Sequence, residues 1–362
     1  MTYVRVKGEG LRKLCETIFE SCGFTPENSK IITDVLLRAD YYGIESHGVQ
    51  RLIRYYNAIK EGSIDPNAEP ELVHQTPISR VYDGYKTMGQ PVAYRGMNEA
   101  IAMAKEHGIG AVCVRGSNHY GIAGYYTLMA AKEDLVGICM TNTEAIAIPT
   151  NGKKAMLGTS PIALCMPADP VPFWYDAATT VVTRGKLEVY NKNEKPLVNG
   201  WAADENGKPS ENAARVLENI IGKKGGGIFP LGGSEELTGS HKGYGLGVIV
   251  ELFTSVFAGG TTSPHVRNSG NADTSFCFWA FDYGMFGDKK EIKARMSTLL
   301  NELRQSPKAD GCQRIYTHGE KEAEMSEYIS RNGVPLNPKT LKEIYSIAAN
   351  YGINADDYLV KL

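Results

Sequence analysis

The run from Arg38 to Tyr55 holds the densest group of residues able to do chemistry: Arg38-Ala39-Asp40, then Gly43-Ile44-Glu45-Ser46-His47-Gly48, then Arg51 and Tyr55. A helix opening at Ser46 places His47, Arg51 and Tyr55 at i, i+4 and i+8, in a stripe apart from the apolar Leu52, Tyr56 and Ile59. Such a stripe joins an imidazole that titrates near neutral pH, a guanidinium suited to a two-pronged grip on a carboxylate, and an aromatic hydroxyl. Free N–H groups at a helix start also attract anions. The chemistry on offer is proton exchange with a small acid. The same spacing equally describes a solvated helix face that carries a histidine and an arginine.

A second group, Gly116-Ser117-Asn118-His119-Tyr120-Gly121-Ile122-Ala123-Gly124-Tyr125, follows the apolar run Ala111–Val114 and opens a helical pattern. Sites in α/β domains collect at such strand-to-helix junctions. The plainer reading is a βα loop in which Asn118 or His119 caps the helix. Thr141-Asn142-Thr143, after the next strand-like run, joins this neighbourhood if the two strands are adjacent. Motifs of other chemistries are missing. Gly243-x-Gly245-x-Gly247 is the nearest approach to a dinucleotide-binding G-x-G-x-x-G, and no P-loop, H-E-x-x-H or G-x-S-x-G occurs. The seven cysteines include no CxxC or Cys/His spacing for zinc, so no metal is expected.

The elements that must position these groups alternate in type. Thr25-Pro26 predicts a helix start, with Ile31, Ile32, Val35, Leu36 and Ala39 in the 3.6 period. Strand-like runs are predicted at Ile78–Tyr82, Ala111–Val114, Val136–Thr141, Ile162–Met166, Phe173–Tyr175 and Ser275–Phe281, with helices at 91–106 and 119–132. Residues 191–239 read as a polar, Gly-rich section. The tail reads as helices at 289–304, 319–331 and 338–350, plus a short strand at Gln313–Tyr316. This pattern predicts an α/β domain over residues 71–287 and a helical domain built from both chain ends, 1–70 with 288–362.

Composition narrows the function classes. With 39 Lys+Arg against 41 Asp+Glu among 362 residues, there is no electrostatic reason to expect nucleic acid. The longest apolar stretch, Leu246 to Ala258, is too short to span a bilayer and contains Glu251. No secretory signal pattern opens the chain, and the odd thiol count fits a reducing compartment, so the expected location is the cytoplasm. The 39 glycines, where average usage gives roughly 25, point to many tight turns of the kind cofactor sites use.

Across most of the chain, "RADYYGIESHGVQR", "SNHYGIAGYY", "TNT", "LGTSPIA", "YDAATTVVTRGK", "GWAADENGKP", "PLGG", "SHKGYGL" and "HGEKE" occur in order. Together they resemble the malate/L-lactate dehydrogenase family, NAD(P)-dependent oxidoreductases that lack a Rossmann fold. The resemblance implies a cofactor domain on a largely antiparallel sheet, a helical domain from both termini, and a homodimer with active sites near the subunit interface. Carried over by motif, His47 beside Ser46 is the first-ranked proton donor and acceptor, with His119 the other candidate. Asp176 is the carboxylate that orients the catalytic histidine. Arg51, Tyr55, Asn118 and Thr141 meet the substrate. Thr143, Ser160, Ala177, Ala178, Thr179, Thr180, His241, Lys242, Gly243, Gly319 and Glu320 meet the cofactor, NAD or else NADP. Two departures stand out: Ser160 replaces the family's usual Asn, and His318 replaces a common Pro.

The implied reaction interconverts a 2-hydroxy acid and a 2-oxo acid, with malate/oxaloacetate ahead of lactate/pyruvate. Ureidoglycolate, sulfolactate, diketogulonate and cyclic imine reduction are alternatives within the same scaffold. From a different class comes a non-catalytic protein that holds an anion with Arg51 and the helix end.

Overall fold

The computed structural model describes residues 3–266 and 272–362, and opens with β1 (Val4–Val6), α1 (Gly8–Ser21) and α2 (Pro26–Tyr41). α2 begins at the predicted place, because Thr25 accepts the N–H of Asn28 and Pro26 sits where no N–H is needed. The next segment departs from expectation. No helix starts at Ser46; two short 3-10 turns, Glu45–His47 and Val49–Arg51, precede α3 (Leu52–Lys60). The break lies at Gly48, whose backbone is extended, and the buried Asp40 carboxylate accepts the N–H of Val49 at 2.9 Å. That bond starts a new turn, so His47 is not on the helix that carries Tyr55.

The hairpin β2 (Glu71–Thr76) and β3 (Ser79–Asp83) leads into α4 (Gly89–His107), β4 (Ile109–Ser117), α5 (Ala123–Lys132) and β5 (Val136–Thr141). β6 (Ile162–Met166) and β7 (Phe173–Ala177) follow. α6 (Arg184–Lys192) ends as the section expected to be polar and Gly-rich begins, and that section contains β8 (Ala202–Ala203), α7 (Ala213–Gly222) and β9 (Gly227–Ile228). These pack Leu187, Leu197, Val216, Ile220 and Ile228 into a small core of their own. α8 (Ser240–Glu251) and β10 (Thr274–Phe281) complete the middle of the chain. The tail adds α9 (Lys289–Gln305), α10 (Glu320–Asn332), β11 (Val334–Leu336) and α11 (Pro338–Asn350). Gln313–Tyr316 is a loop instead of the expected strand. It is β11 that finds a partner, pairing with β1 and so tying the chain ends together.

The main sheet runs β2-β3-β4-β10-β5-β6-β7. It is antiparallel throughout except for the β3–β4 pair. That order answers the adjacency question: β10 lies between β4 and β5. Because both are antiparallel to β10, both end on the same sheet edge, Ser117 opposite Thr274 and Thr141 opposite Phe276. Ile162 and Ala177 pair on that edge too. The sheet core is aromatic, with Tyr120 stacked between Tyr126 and Phe276 at ring separations of 5.0 and 4.5 Å. A second core joins Leu14, Ile18 and Leu36 to Ile329, Ile344 and Ile347 from the tail. α9 is tied to the sheet side, Lys289 to Asp282 at 3.0 Å and Lys293 to Asp169 at 3.1 Å.

Candidate active site

Two histidines predicted from separate motifs come together: the rings of His47 and His119 lie 5.4 Å apart. His119 sits between β4 and α5, anchored by the fully buried Tyr120 that follows it. Its Nδ1 is 2.7 Å from the hydroxyl of Tyr55, and the N–H of Gly121 points at the same nitrogen from 3.4 Å. Tyr55 is buried and takes a second bond from Gln90 at 3.0 Å. His47 Nδ1 lies 2.8 Å from the hydroxyl of the exposed Ser46.

Both imidazoles favour the neutral form. Burial, with Arg51 and Arg54 adding positive charge, pulls His47 down to about 4. Burial also takes His119 well below the usual imidazole range, with Arg54, His47 and Arg51 contributing. A helix dipole is not the cause, since His47 lies on the 3-10 turn Glu45–His47. The expected Asp176–histidine pair is likewise not formed among the described residues. Asp176 accepts the N–H of Gly124 at the start of α5 at 2.7 Å, and burial raises its pKa to about 6.

Arg51 Nε donates to the carbonyl of Ser46 at 2.5 Å, which holds the guanidinium beside His47. Its two terminal nitrogens have no hydrogen-bond or ion-pair partner among the described residues, leaving a free fork. Asn118 and Thr141 are occupied differently. Asn118 Nδ2 donates to the carbonyls of Ser63 at 3.0 Å and Thr87 at 3.1 Å, holding the His119 loop. The Thr141 hydroxyl faces the carbonyls of Asn142 and Ser275 at 2.9 and 3.1 Å.

Most of the cofactor candidates converge along the same sheet edge. Thr143 Oγ1 accepts the N–H of Thr159 at 3.0 Å, and Thr159 O accepts that of Thr179 at 2.9 Å. Thr179 O in turn accepts the N–H of Leu231, against which Gly243 packs. Ala177 and Ala178 are half-buried at the end of β7, and the Thr180 hydroxyl donates to Val182 O at 2.7 Å. His241 and Lys242 stand exposed on the first turn of α8. Gly319 and Glu320 are elsewhere: Gly319 lies against Pro172 and Trp174 at the other end of β7. The Glu320 carboxylate is engaged by the Thr317 N–H, Arg304 and Arg314. His318, the second departure from the family pattern, packs edge-on against Phe173 and Tyr175.

The first group fits a dinucleotide. The Ser160 hydroxyl is fully buried without a partner among the described residues, on a backbone held at φ 42°, and an orphaned buried hydroxyl needs something to bond. At α8 an uncapped helix start carries a lysine, as a phosphate-bearing ligand requires.

Reading the motifs alone missed three groups. Gln90, on α4, is fully buried and has no motif around it. Asp40 was visible in its motif, but its bond to Val49 was not. Arg54 follows Arg51 at i+3, is exposed, and has no hydrogen-bond or ion-pair partner among the described residues. Two arginines in one helical turn was the available signal.

The family described as malate/L-lactate dehydrogenase matches residues 6–345. A malate dehydrogenase of Pyrococcus abyssi is 41% identical over 353 residues, 97% of this chain and 96% of that protein. An L-sulfolactate dehydrogenase of Methanocaldococcus jannaschii is 34% identical, over 98% of this chain and 99% of its own length. The crystal structure of malate dehydrogenase from Entamoeba histolytica superposes with a TM-score of 0.94 at 34% identity, covering 98% of this chain and 99% of that one. With a family match over nearly its whole length and these relatives covered end to end, the chain belongs to the malate/L-lactate dehydrogenase family.

Proposed function

We propose that this dehydrogenase interconverts malate and oxaloacetate with NAD, using His119 as the principal proton donor and acceptor, His47 beside it, and Arg51 as the carboxylate grip. The observation that carries the reading is the free guanidinium fork of Arg51 next to two neutral histidines, one of them oriented by a buried tyrosine. The motif ranks His47 first. The wiring favours His119, because a base held by a second group is the usual arrangement of an acid–base residue.

When bound along the sheet edge, the nicotinamide supplies or takes up the hydride. The protein's own part is to fix the acid and manage the proton. Arg51 binds the carboxylate adjacent to the reacting carbon with two parallel bonds. In the oxidative direction a neutral imidazole accepts the hydroxyl proton. In the reductive direction the anionic substrate offsets the field of Arg51 and Arg54, so the histidine holds a proton until the alkoxide takes it.

Arg54 supports a dicarboxylate. Two open guanidinium groups one turn apart match malate and oxaloacetate better than lactate and pyruvate. Two cations after β7 could meet a 2′-phosphate, and NAD is favoured over NADP because both are engaged: Arg184 pairs with Glu188 at 2.9 Å and Lys186 lies over the Tyr190 ring at 5.7 Å. A homodimer is supported by the exposed apolar run of Val248, Ile249, Leu252, Val256 and Phe257. A cytoplasmic setting is supported by cysteines that are all free thiols.

The deciding experiment measures kcat/KM for a panel of 2-oxo acids with both cofactors, in the wild type and in Arg54→Met. The expected result is highest activity on oxaloacetate with NADH, and a loss in Arg54→Met confined to dicarboxylates. Equal losses on oxaloacetate and pyruvate would remove Arg54 from substrate recognition. Absence of turnover on every acid would leave an anion-binding protein.

A further inference from the structure

Gln90 is the most deeply buried amide near the reacting groups, fully shielded from water on the first turn of α4. Its position depends on Gly89. A Cβ there would fall 2.3 Å from the carbonyl oxygen of Asn118 and 2.5 Å from that of His119. The missing side chain lets α4 dock directly on the His119 loop, which brings Gln90 Nε2 to 3.0 Å from the Tyr55 oxygen. Gln90 Oε1 has no partner among the described residues. A fold seldom keeps an orphaned buried amide oxygen unless the other half of the amide is needed.

The direction of the hydrogen-bond chain follows from the amide nitrogen of Gln90, which can only donate and so leaves the Tyr55 proton for His119 Nδ1. The backbone N–H of Gly121 points at the same nitrogen from 3.4 Å, a contact too long to hold the tautomer without Gln90. The Tyr55 hydroxyl thus donates to Nδ1, and its oxygen accepts from Gln90. A neutral His119 therefore carries its proton on Nε2. We propose that Gln90 is a positioning residue for the acid–base step: by donating to Tyr55 it keeps the tyrosine proton aimed at His119 Nδ1 and fixes the Nε2–H tautomer. This rests on the reading of His119 as the proton donor and acceptor.

The test combines ¹⁵N NMR of the histidine side chains with steady-state kinetics on wild type, Gln90→Met, Gln90→Glu and Tyr55→Phe, the His119 signals being assigned from their loss in His119→Ala. Wild type should show His119 protonated at Nε2. Gln90→Met keeps the length and removes the donor, so the tautomers should mix and kcat fall about 3- to 10-fold, with KM within about twofold. Gln90→Glu should be worse when ionised, because a carboxylate takes the tyrosine proton and reverses the chain to an Nδ1–H tautomer. Its kcat should recover at low pH, where the protonated carboxyl can donate again. The Gln90→Met/Tyr55→Phe double variant should lose no more than Tyr55→Phe alone. A pure Nε2–H tautomer in Gln90→Met, or a pH-independent ratio between Gln90→Glu and wild type, overturns the proposal. Wild-type kcat in His119→Ala overturns instead the acid–base reading beneath it.

Discussion

The wall proposed for acid–base chemistry and the wall proposed for the cofactor share one edge of the sheet, yet they are built from different parts. Around His119 and His47 the contacts are between side chains: imidazole to phenol, phenol to amide, guanidinium to a loop carbonyl. Along Thr143, Thr159, Thr179 and Leu231 every bond has a backbone group on at least one side, N–H to carbonyl or backbone to threonine hydroxyl, with glycines where a Cβ would collide. A Cβ on Gly243, for example, would lie 2.4 Å from the N and O of Leu231. The first wall sets protonation states and charge. The second sets shape, so single side-chain changes should disturb it less.

His119→Ala should give the largest effect, a fall in kcat of about 10²- to 10⁴-fold with NADH binding nearly unchanged. His47→Ala should mainly raise KM. The reverse pattern would move the principal role to His47 and loosen the contrast between the histidine wired to buried Tyr55 and the one bonded to exposed Ser46. Fluorescence titration of NADH alongside turnover separates the two outcomes.

Arg51→Lys comes next. It keeps the charge but loses the planar fork, so it should be damaged about as much as Arg51→Ala. A charge-assisted contact of roughly 1.5–3 kcal/mol corresponds to about 10- to 150-fold in kcat/KM. The loss should be small for a ketone substrate without a carboxylate. Equal loss there would mean that Arg51 serves the Ser46–His47 turn instead.

Asp40 tests whether the acid–base wall stores electrostatic strain. Burial, with Glu45 adding negative charge, raises its carboxyl to about 8 against the opposing bond from Val49. Between its ordinary value near 3.8 and 8 the folded state binds more protons than the unfolded chain, so this group's contribution to stability falls as pH rises. Asp40→Asn has no proton to lose. Its melting temperature should gain on the wild type between pH 5 and pH 8. A constant offset across that range would mean Asp40 does not titrate in the fold. Gly48 explains why no larger residue fits nearby: its Cβ would lie 1.8 Å from Asp40 Oδ1.

Lys242→Ala, on the backbone-built wall, should give the smallest change. An exposed charge contact of about 0.3–1 kcal/mol weakens NADH binding roughly 2- to 5-fold. An effect as large as that of Arg51→Lys would show that the cofactor wall also depends on a side-chain contact.

Much of this protein is written locally. The start of α2, the strands β5 and β6, and the presence of His47, Arg51 and His119 in usable motifs follow from caps, periodicity and residue type within a few positions. α7, within 191–239, escaped because its short apolar run is flanked by charges and glycines that read as loop. What neighbouring residues cannot encode is which distant groups meet. β10, more than 130 residues beyond β5, enters between β4 and β5 and sets the edge on which the site stands. Tyr55 finds His119 64 positions away and Gln90 35 away, each bond made only because helices carrying apolar faces were forced together. Periodicity dictates which face of a helix is buried. The polar side chain sealed in with that face, and the proton it directs, are decided by packing.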